Sequence, residues 1–380
     1  MSDAFWSFPA SSEAVEVLEW STDVLQSAEG EQRIALRSVP REIVTFQHRL
    51  GALGMARAAE LARASFAGVW QVPLWHIALQ PLADLVPGAT EILLNTALSD
   101  FRAGASLAIA IDGGDAVQVQ VAAVELSRVV LSAPLVLPGV VVSSRVSVAP
   151  VRSAILTAAV EVSRQRQGDG VVSATWLLRD TGVVPPLAQT IYIGRPVLTA
   201  PSLLRSPLAS SLRRTVEYVD NGLGPVAVEP VRDRFERLET ITRRAQGAAE
   251  RHSLRSWLWS LRGRQGTFWM PTWGRELQLR SAVTGGSVLM TVAPVAPLAG
   301  YPGRSIAIEQ PTGLRFRSLI AAVQLGADHR LTISSNLGEP ISAATGIHFM
   351  PLVRLDADRV EIQHRPTSCE VSLPVVEVAA

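Results

Sequence analysis

The chain has 380 residues, of which 48% are hydrophobic and 18% charged, and its 35 basic and 34 acidic residues leave a net charge of +1. This composition is typical of a folded protein and excludes a disordered chain. The balanced charge argues against sequence-specific nucleic-acid binding and against binding to a membrane surface. The single cysteine, Cys369, excludes an intramolecular disulfide framework and a cysteine-ligated metal site.

The amino-terminal region predicts a protein that first acts in the cytoplasm, and it predicts an early strand. Residues 1–6 lack a basic segment followed by an apolar one, so we predict no secretory signal. Apolar and polar residues then alternate from Val15 to Trp20, which is the period of a half-buried strand. The apolar run from Val129 to Val142 is broken by Pro134 and Pro138, and it is too short to insert into a membrane.

Two helices are predicted, at Ala52–Phe66 and at Arg232–Leu261. In the second, four apolar residues between Leu254 and Leu261 recur at i, i+3, i+4 and i+7, which forms one apolar stripe. Gly68 and Gly266 follow the two helices, and we expect them to provide the left-handed backbone that commonly ends a helix. Each helix should lead into a strand.

The rest of the chain predicts β-structure. Residues 77–180 and 275–378 are rich in Val, Ile, Leu and Thr and contain regularly placed turn signals, a pattern that favours a sandwich or barrel. Between these segments, prolines recur from position 185 to position 207 without a helical period. This stretch is predicted to be an extended connector.

The sequence contains one long internal repeat. A motif of Gly, aromatic, Pro and Trp recurs at a spacing of 198 residues, and the offset reaches 200 where Val160–Val162 matches Val360–Ile362. A unit of this length can close its own core, so the repeat predicts two tandem duplicated domains at 1–180 and 213–380, joined by the connector at 181–212. The fold class is therefore predicted as mainly β with helices (α+β), with one flanking helix in each domain. The motif residues are Gly68, Trp70, Pro73 and Trp75 in the first copy, and Gly266, Phe268, Pro271 and Trp273 in the second.

Residues that could carry chemistry form no recognisable constellation. The histidines show no HxxxH or HExxH spacing, and no nucleophile elbow or phosphate-binding loop is present. Asp112 with Asp115, and Asp356 with Asp358, lack the further oxygen ligands of a calcium loop and are interpreted as polar turns. We therefore predict no catalytic residue, no cofactor and no metal. The six histidines are His48, His76, His252, His329, His348 and His364.

A family resemblance rests on several diffuse motifs together. They are Glu19-Trp20, Gln32 to Arg37 with Pro40-Arg41, the block from Gly68 to Trp75, and Glu217 to Gly222. The chain resembles the distal-tail and baseplate-hub proteins at the tail tip of long, non-contractile-tailed bacteriophages. The second copy departs from the first at the Arg33 to Arg41 pattern.

The resemblance implies a tail-tube-like β-sandwich or barrel in each domain and a structural role in the virion, without catalysis. The implied protein forms a ring that joins the tail tube to the distal hub and encloses the path of the tape-measure protein and of the DNA. Its implied partners are the tail tube protein, the hub, the tape-measure protein and further copies of itself. Because such tubes are sixfold and hubs threefold, a homotrimer with six related domains is favoured, and a hexamer stays open.

Two other classes stay open. A carbohydrate-binding module at the tail tip would present exposed tryptophan faces, which makes the accessibility of Trp70, Trp75, Trp269 and Trp273 the discriminating observation. A degradative enzyme would need a cleft with paired carboxylates. Glu161 and Glu361 are the acidic residues that recur late in both copies, and their alternating surroundings predict solvent-facing positions.

Overall fold

The fold is taken from a computed structural model that describes residues 4–11, 13–27, 30–65, 68–166, 168–180, 182, 184, 187–203 and 209–379. We call residues 4–180 the first half and residues 187–379 the second half. The first half contains β1 (Ala4–Phe5), β2 (Ala14–Glu19), β3 (Thr22–Gln26), β4 (Glu31–Ala35), β5 (Arg41–Gly51), α1 (Ala52–Ala64), β6 (Trp70–Pro73), β7 (Glu91–Leu93), β8 (Ser106–Ile111), β9 (Val117–Glu125), β10 (Arg128–Leu131), β11 (Val146–Leu156), β12 (Glu161–Arg166) and β13 (Asp169–Leu178).

The second half has a similar succession of elements, with four described strands before its helix instead of five. Its elements are β14 (Ile191–Tyr192), β15 (Arg195–Pro196), β16 (Ser210–Val219), β17 (Ala227–Gln246), α2 (Gly247–Leu261), β18 (Thr267–Trp269), β19 (Leu289–Val292), β20 (Ser305–Gln310), β21 (Gly313–Leu325), β22 (Asp328–Ile333), β23 (Ile347–Phe349), β24 (Leu352–Leu355), β25 (Arg359–His364) and β26 (Ser368–Glu377). The predicted fold class, mainly β with helices, is confirmed.

Each half has a main sheet with one helix against it. In the first half β13 pairs with β5, β12 and β11, while β11 continues to β6 and β5 continues to β2. In the second half β26 pairs with β17, β25 and β24, while β24 continues to β18 and β17 continues to β16. The pairing order is therefore the same in both halves.

A smaller sheet lies between the motif strand and the last strands of each half. Strands β7, β10, β9 and β8 pair in that order in the first half, and β8 joins the long strand β11. In the second half β19, β22, β21, β20 and β23 form the corresponding sheet. Alternating inward residues fill separate apolar cores here, with Ile92 and Val148 in the first half and Met290 and Ile306 in the second.

The two halves share one continuous sheet. Strand β2 lies between β5 of its own half and β25 of the second half, antiparallel to both. Leu18 and Trp20 pack with Ile241, Leu258 and Phe268 in the main core of the second half. A strand of the first half therefore completes both the sheet and the main core of the second half.

The first helix agrees with its prediction and the second is half as long as predicted. Helix α1 spans Ala52–Ala64, whereas Phe66, the predicted last residue, lies outside the described residues. The predicted helix at 232–261 is wrong over residues 232–246, which belong to β17. These residues are hydrogen-bonded to β16 on one side and β26 on the other, so ladder pairing on both edges overrides local helix propensity.

The predicted role of the two motif glycines is also wrong. Neither Gly68 nor Gly266 has a positive φ, and the left-handed residues after α2 are Arg262 (φ 53°) and Gly263 (φ 63°). Gly266 is instead a site of close approach, since a Cβ there would lie 2.5 Å from the carbonyl oxygen of Leu261. Glycine is needed because the chain folds back against the end of the helix.

The predicted connector at 181–212 includes residues 181, 183, 185–186 and 204–208, which lie outside the described residues. Its described part packs on the second half. Val197 bridges to Trp269 in parallel, as Ala4 pairs with Trp70 in the first half, and the indole nitrogen of Trp269 donates to the carbonyl oxygen of Tyr192 at 2.9 Å. Strand β16 begins at Ser210, within the predicted connector.

Candidate functional site

A group of buried polar side chains lies where the two halves meet, and we call it the junction cluster. Each side chain comes from a different element, and each residue is at most 5% exposed. Burial of so many ionisable groups is uncommon unless they are paired with one another. The cluster consists of Glu16 on β2, Glu42 on β5, His76 in the turn Trp75–Ile77 after β6, Arg255 on α2 and His364 on β25.

Glu16 is the centre of the junction cluster. The guanidinium of Arg255 donates from Nη2 to Oε1 of Glu16 at 2.6 Å, and from Nε to both carboxylate oxygens at 2.9 and 3.0 Å. Nε2 of His364 lies 2.8 Å from Oε2 of Glu16, and Nε2 of His76 lies 3.7 Å from the same oxygen. One carboxylate from the first half is therefore held by a helix and a strand of the second half.

The protonation states follow from burial and charge. Burial alone would raise the pKa of Glu16, but Arg255 and the two histidines hold it well below its ordinary value. Burial lowers the pKa of both His76 and His364, so both rings are neutral near pH 7. Burial raises the pKa of Glu42 to about 7, although Arg255 at 4.0 Å opposes this shift.

The cluster has the donor set of a metal site but not its electrostatics. Ligand atoms of Glu16, His76 and His364 lie within 4.8 Å of one another, and two imidazoles with a carboxylate can hold a transition metal. Arg255, however, donates to both carboxylate oxygens and adds a fixed positive charge at hydrogen-bond distance. The adjoining cavity of about 10 Å³ holds at most one water. The arrangement fits an interdomain ion pair better than a metal centre.

A second polar contact ties an arm of the first half to the second half. The arm is the hairpin of β3 and β4, which leaves the end of β2. At its base, Asp358 accepts from the backbone nitrogen of Thr22 at 2.7 Å and from its hydroxyl at 2.9 Å. Farther along, the guanidinium of Arg354 donates to Glu31 at 2.7 Å. The arm is therefore held in place by the second half.

The motif residues lie at corresponding places in the two main sheets. Trp70 and Phe268 are both fully buried, and Pro73 and Pro271 are buried after them. Trp75 is half-buried and donates from its indole nitrogen to the carbonyl oxygen of Phe8 at 3.0 Å. The structure does not bring the two copies of the motif together, since Trp70 and Phe268 lie in two separate cores.

Trp273 ends the second copy of the motif. It is half-buried, with its ring centroid 5.3 Å from that of His348. With Trp269 at 6% exposed as well, the motif tryptophans form no open aromatic platform within the described residues.

The aspartates considered as calcium ligands have protein partners. Asp112 accepts from the guanidinium of Arg145 at 2.7 Å, and Asp115 pairs with Arg57. Asp356 accepts from Arg354 at 3.0 Å, while Asp358 holds Thr22 and, at 2.9 Å, the backbone nitrogen of Arg264. These contacts are those of structural turns.

A groove of about 610 Å³ runs between residues 187–203 and helix α2. Glu250 is the one carboxylate among its described lining residues, and it accepts from the backbone nitrogen of Gln246 at 2.8 Å, at the start of α2. The groove therefore lacks the two carboxylates of a glycoside-hydrolysing cleft in the described part of the chain.

The sequence predicted none of the junction cluster as a site. The two histidines are far apart in the chain, and only the pairing of β2 with β25 brings His364 to Glu16. Two signals were present nonetheless. Glu16 lies on the same face of its strand as Leu18. Arg255 lies beside the apolar stripe of α2, three residues before Leu258. A charged residue on an apolar face marks a buried partner of opposite charge.

Comparisons with known proteins do not assign the chain to a family. No protein-family model matches the chain, and no curated protein sequence matches it. Neither helix of the described chain is both long enough and apolar enough to cross a bilayer.

Proposed function

We propose that this chain is a structural protein of a bacteriophage tail tip, built from one domain duplicated in tandem. The support for the duplication is the repeated order of pairings, in which β2, β5, β13 and β12 correspond to β16, β17, β26 and β25. The repeated motif falls on β6 and β18, which occupy the same position in the two main sheets.

The observation that carries the proposal is the edge-to-edge joining of the two halves. Strand β2 of the first half pairs with the edge strand β25 of the second half. The junction cluster adds a buried ion pair to this contact, and Leu18 adds apolar packing. A domain that joins its neighbour through a shared sheet is suited to forming a continuous ring around a channel. The polar groups buried at the junction pair with one another across the two halves, which suits attachment between domains.

The proposed role is a ring between the tail tube and the distal hub, enclosing the path of the tape-measure protein and then of the DNA. Three copies would present six related domains, which suits a place where sixfold and threefold symmetries meet. The ring would be assembled in the bacterial cytoplasm and contact the tail tube protein, the hub and the tape-measure protein.

Of the four tryptophans on which the carbohydrate-binding alternative depends, Trp75 and Trp273 are half-buried and the other two are buried. Trp70 is fully buried and Trp269 is 6% exposed, so neither ring offers a face to a sugar. The enzyme alternative has no paired carboxylates in the groove between residues 187–203 and α2, and Glu161 and Glu361 are exposed residues on two different strands.

Light scattering of the purified protein, followed by negative-stain imaging, tests the proposal. We expect a trimer with a central channel and a sixfold outline. A particle without a channel at every concentration, combined with selective binding to a glycan array, would favour the carbohydrate-binding alternative instead.

A further inference from the structure

Strands β2 and β25 pair with each other where the two halves meet, and we call this pairing the internal joint. The strands that correspond to them each have one unpaired edge among the described residues. At the joint, Leu18 of β2 lies opposite Val360 of β25, and Glu16 lies opposite Ile362. Leu18 and Ile362 are fully buried and Val360 is 3% exposed. The strand pairing and the apolar contact therefore form together along this edge.

The strands that correspond to β2 and β25 are both sheet edges. Leu18 pairs with Glu42, and Leu212 of β16 pairs with Arg237; Glu42 and Arg237 each lie ten residues before the first residue of a helix. Leu212 is thus the counterpart of Leu18. By the same register Val162 of β12 is the counterpart of Ile362.

Exposure distinguishes these counterparts from the buried pair. Leu212 is 69% exposed and Val162 is 41% exposed, whereas Leu18 and Ile362 are fully buried. Among the described residues β16 pairs with β17 alone, and β12 pairs with β13 alone. Two unpaired edges with apolar residues are an open template for another strand.

The β16–β17 hairpin of the second half differs in exposure from the arm of the first half. The arm of the first half, which follows β2, is held against the second half through Thr22 and Glu31. Its counterpart, the outer part of the β16–β17 hairpin, extends from the sheet with Tyr218 69%, Leu223 96% and Phe235 58% exposed. Apolar residues on a projecting hairpin indicate a surface that is covered on assembly.

We infer that the free edge of β16 in one protomer pairs antiparallel with the free edge of β12 in a second copy of this chain. The contact repeats the internal joint between β2 and β25, so Ser210 lies opposite Val162 and Leu212 lies opposite Val160. Each protomer then uses one edge for each neighbour, and such a head-to-tail contact generates a ring when the rotation closes. The inference rests on the homo-oligomeric ring of the proposed function and names the surface that forms it.

The contact between protomers is weaker than the internal joint. Ser210 occupies the position of Glu16, and the position of His364 on β12 is Arg164. The buried ion pair with Arg255 therefore has no counterpart between protomers. We expect assembly to be reversible and to depend on protein concentration.

Paired cysteines in the full chain test the register. The variant S210C/V162C should form disulfide-linked dimers and closed trimers on mild oxidation, because directly opposed residues in antiparallel strands come within disulfide distance. The variant S210C/S163C, shifted by one residue and so to the other face, is the matched control and should crosslink far less. The native Cys369 is 1% exposed and burial raises the pKa of its thiol to about 11, which keeps it out of the exchange.

The outcomes separate this contact from the proposed function. Oligomers by light scattering without in-register crosslinks overturn the β16–β12 contact and leave the ring. In-register crosslinks that grow into open chains support the contact and overturn the closed ring. Monomers at every concentration, with no crosslink, overturn both.

A charge on the edge provides an independent test. Leu212→Asp should weaken assembly about 10-fold or more, since it places a carboxylate against an apolar strand. Leu126→Asp, at a 79% exposed turn position far along the chain from both edges, is the control and should assemble normally. Equal assembly of the two variants would overturn the inference.

Discussion

Glu16 is a buried charged residue of the first half whose hydrogen-bond partners come from the second half. It is 1% exposed, Arg255 donates to its Oε1, and His364 is hydrogen-bonded to its Oε2, so both oxygens have partners from the other half. Removing one partner of a buried ion pair leaves an uncompensated charge, which costs more than the pair itself contributes. Substitution of only one member of the junction cluster should therefore destabilise the contact between the two halves.

Arg255→Met should destabilise the protein by about 3 to 5 kcal/mol, because it removes the guanidinium that pairs with the buried carboxylate of Glu16. Adding Glu16→Gln in the same chain should recover much of that loss, since no unpaired charge remains. Urea unfolding of the two single variants and the double variant measures the coupling. Arg63→Met, which breaks an exposed pair with Glu60, is the control and should change stability by about 0.5 kcal/mol or less. Strictly additive losses would contradict this account.

Glu42 should make the protein less stable as the pH rises. Its folded pKa of about 7 lies above its ordinary value of 4.5, so its stabilising contribution is complete below pH 4.5 and is lost as the pH rises through 7. Glu42→Gln keeps the shape of the protonated form. It should raise the free energy of unfolding by about 3 kcal/mol at pH 8 and by about 1 kcal/mol at pH 5.5.

Thermal unfolding across this pH range measures the Glu42 effect, and Glu361→Gln on an exposed position of β25 is the control. A stabilisation by Glu42→Gln that is the same at both pH values would show that the carboxyl does not titrate in the folded protein.

Individual residues were harder to predict from the sequence than strands were. The alternation from Val15 to Trp20 predicted β2 within one residue at each end. The same pattern gave no sign of what Glu16 contacts, because His364 and Arg255 reach it only through pairing across more than 200 positions of sequence. Long-range partners of a buried charge are set by topology, which periodicity does not contain.

At the scale of elements, the turn from helix to motif strand differs between the halves. A Cβ on Gly266 would lie 2.5 Å from the carbonyl oxygen of Leu261, whereas a Cβ on Gly68 would lie 3.3 Å from that of Ser65. The first distance requires the backbone to move, and the second can be relieved by a small shift. The same sequence motif therefore carries a stricter requirement in the second half.

Gly266→Ala should cost about 2 kcal/mol or more, because it forces the end of α2 away from β18. Gly68→Ala should cost less than half as much. The measurement is the unfolding free energy of the two variants under identical conditions. Similar losses at both positions would show that the close approach at Gly266 does not determine the turn.

Strand β17 shows why the predicted helix at 232–261 was too long. Helix and strand patterns both fit its mixture of arginine, glutamate and threonine, and the choice depends on neighbours. Thr240 and Thr242 pair with Pro374 and Ser372 of β26, so the strand that ends the chain fixes the conformation of one that lies more than 100 residues earlier. The apolar stripe that begins at Leu254 is local, and it was predicted where it lies.

At the scale of the whole molecule, the shared strand leads us to expect that the two halves unfold as one cooperative unit. Leu18 and Trp20 belong by sequence to the first half and by packing to the core of the second. Strand β2 cannot leave β25 without exposing that core and unpairing Glu16. The predicted domain boundaries divide the sequence, and we expect unfolding to involve both halves together.

Leu18→Ala should therefore lower the stability of both halves together, by about 2 to 5 kcal/mol for a fully buried leucine. Native-state hydrogen exchange reports each half separately through β13 and β26, and the opening free energies of both should fall by the same amount. Leu126→Ala, at a turn position away from the joint and from both free edges, is the control, and its 79% exposure predicts a change of about 0.5 kcal/mol or less. Faster exchange in β26 alone would mean that the first half keeps its fold without the joint, and the two halves would then be independent domains in contact.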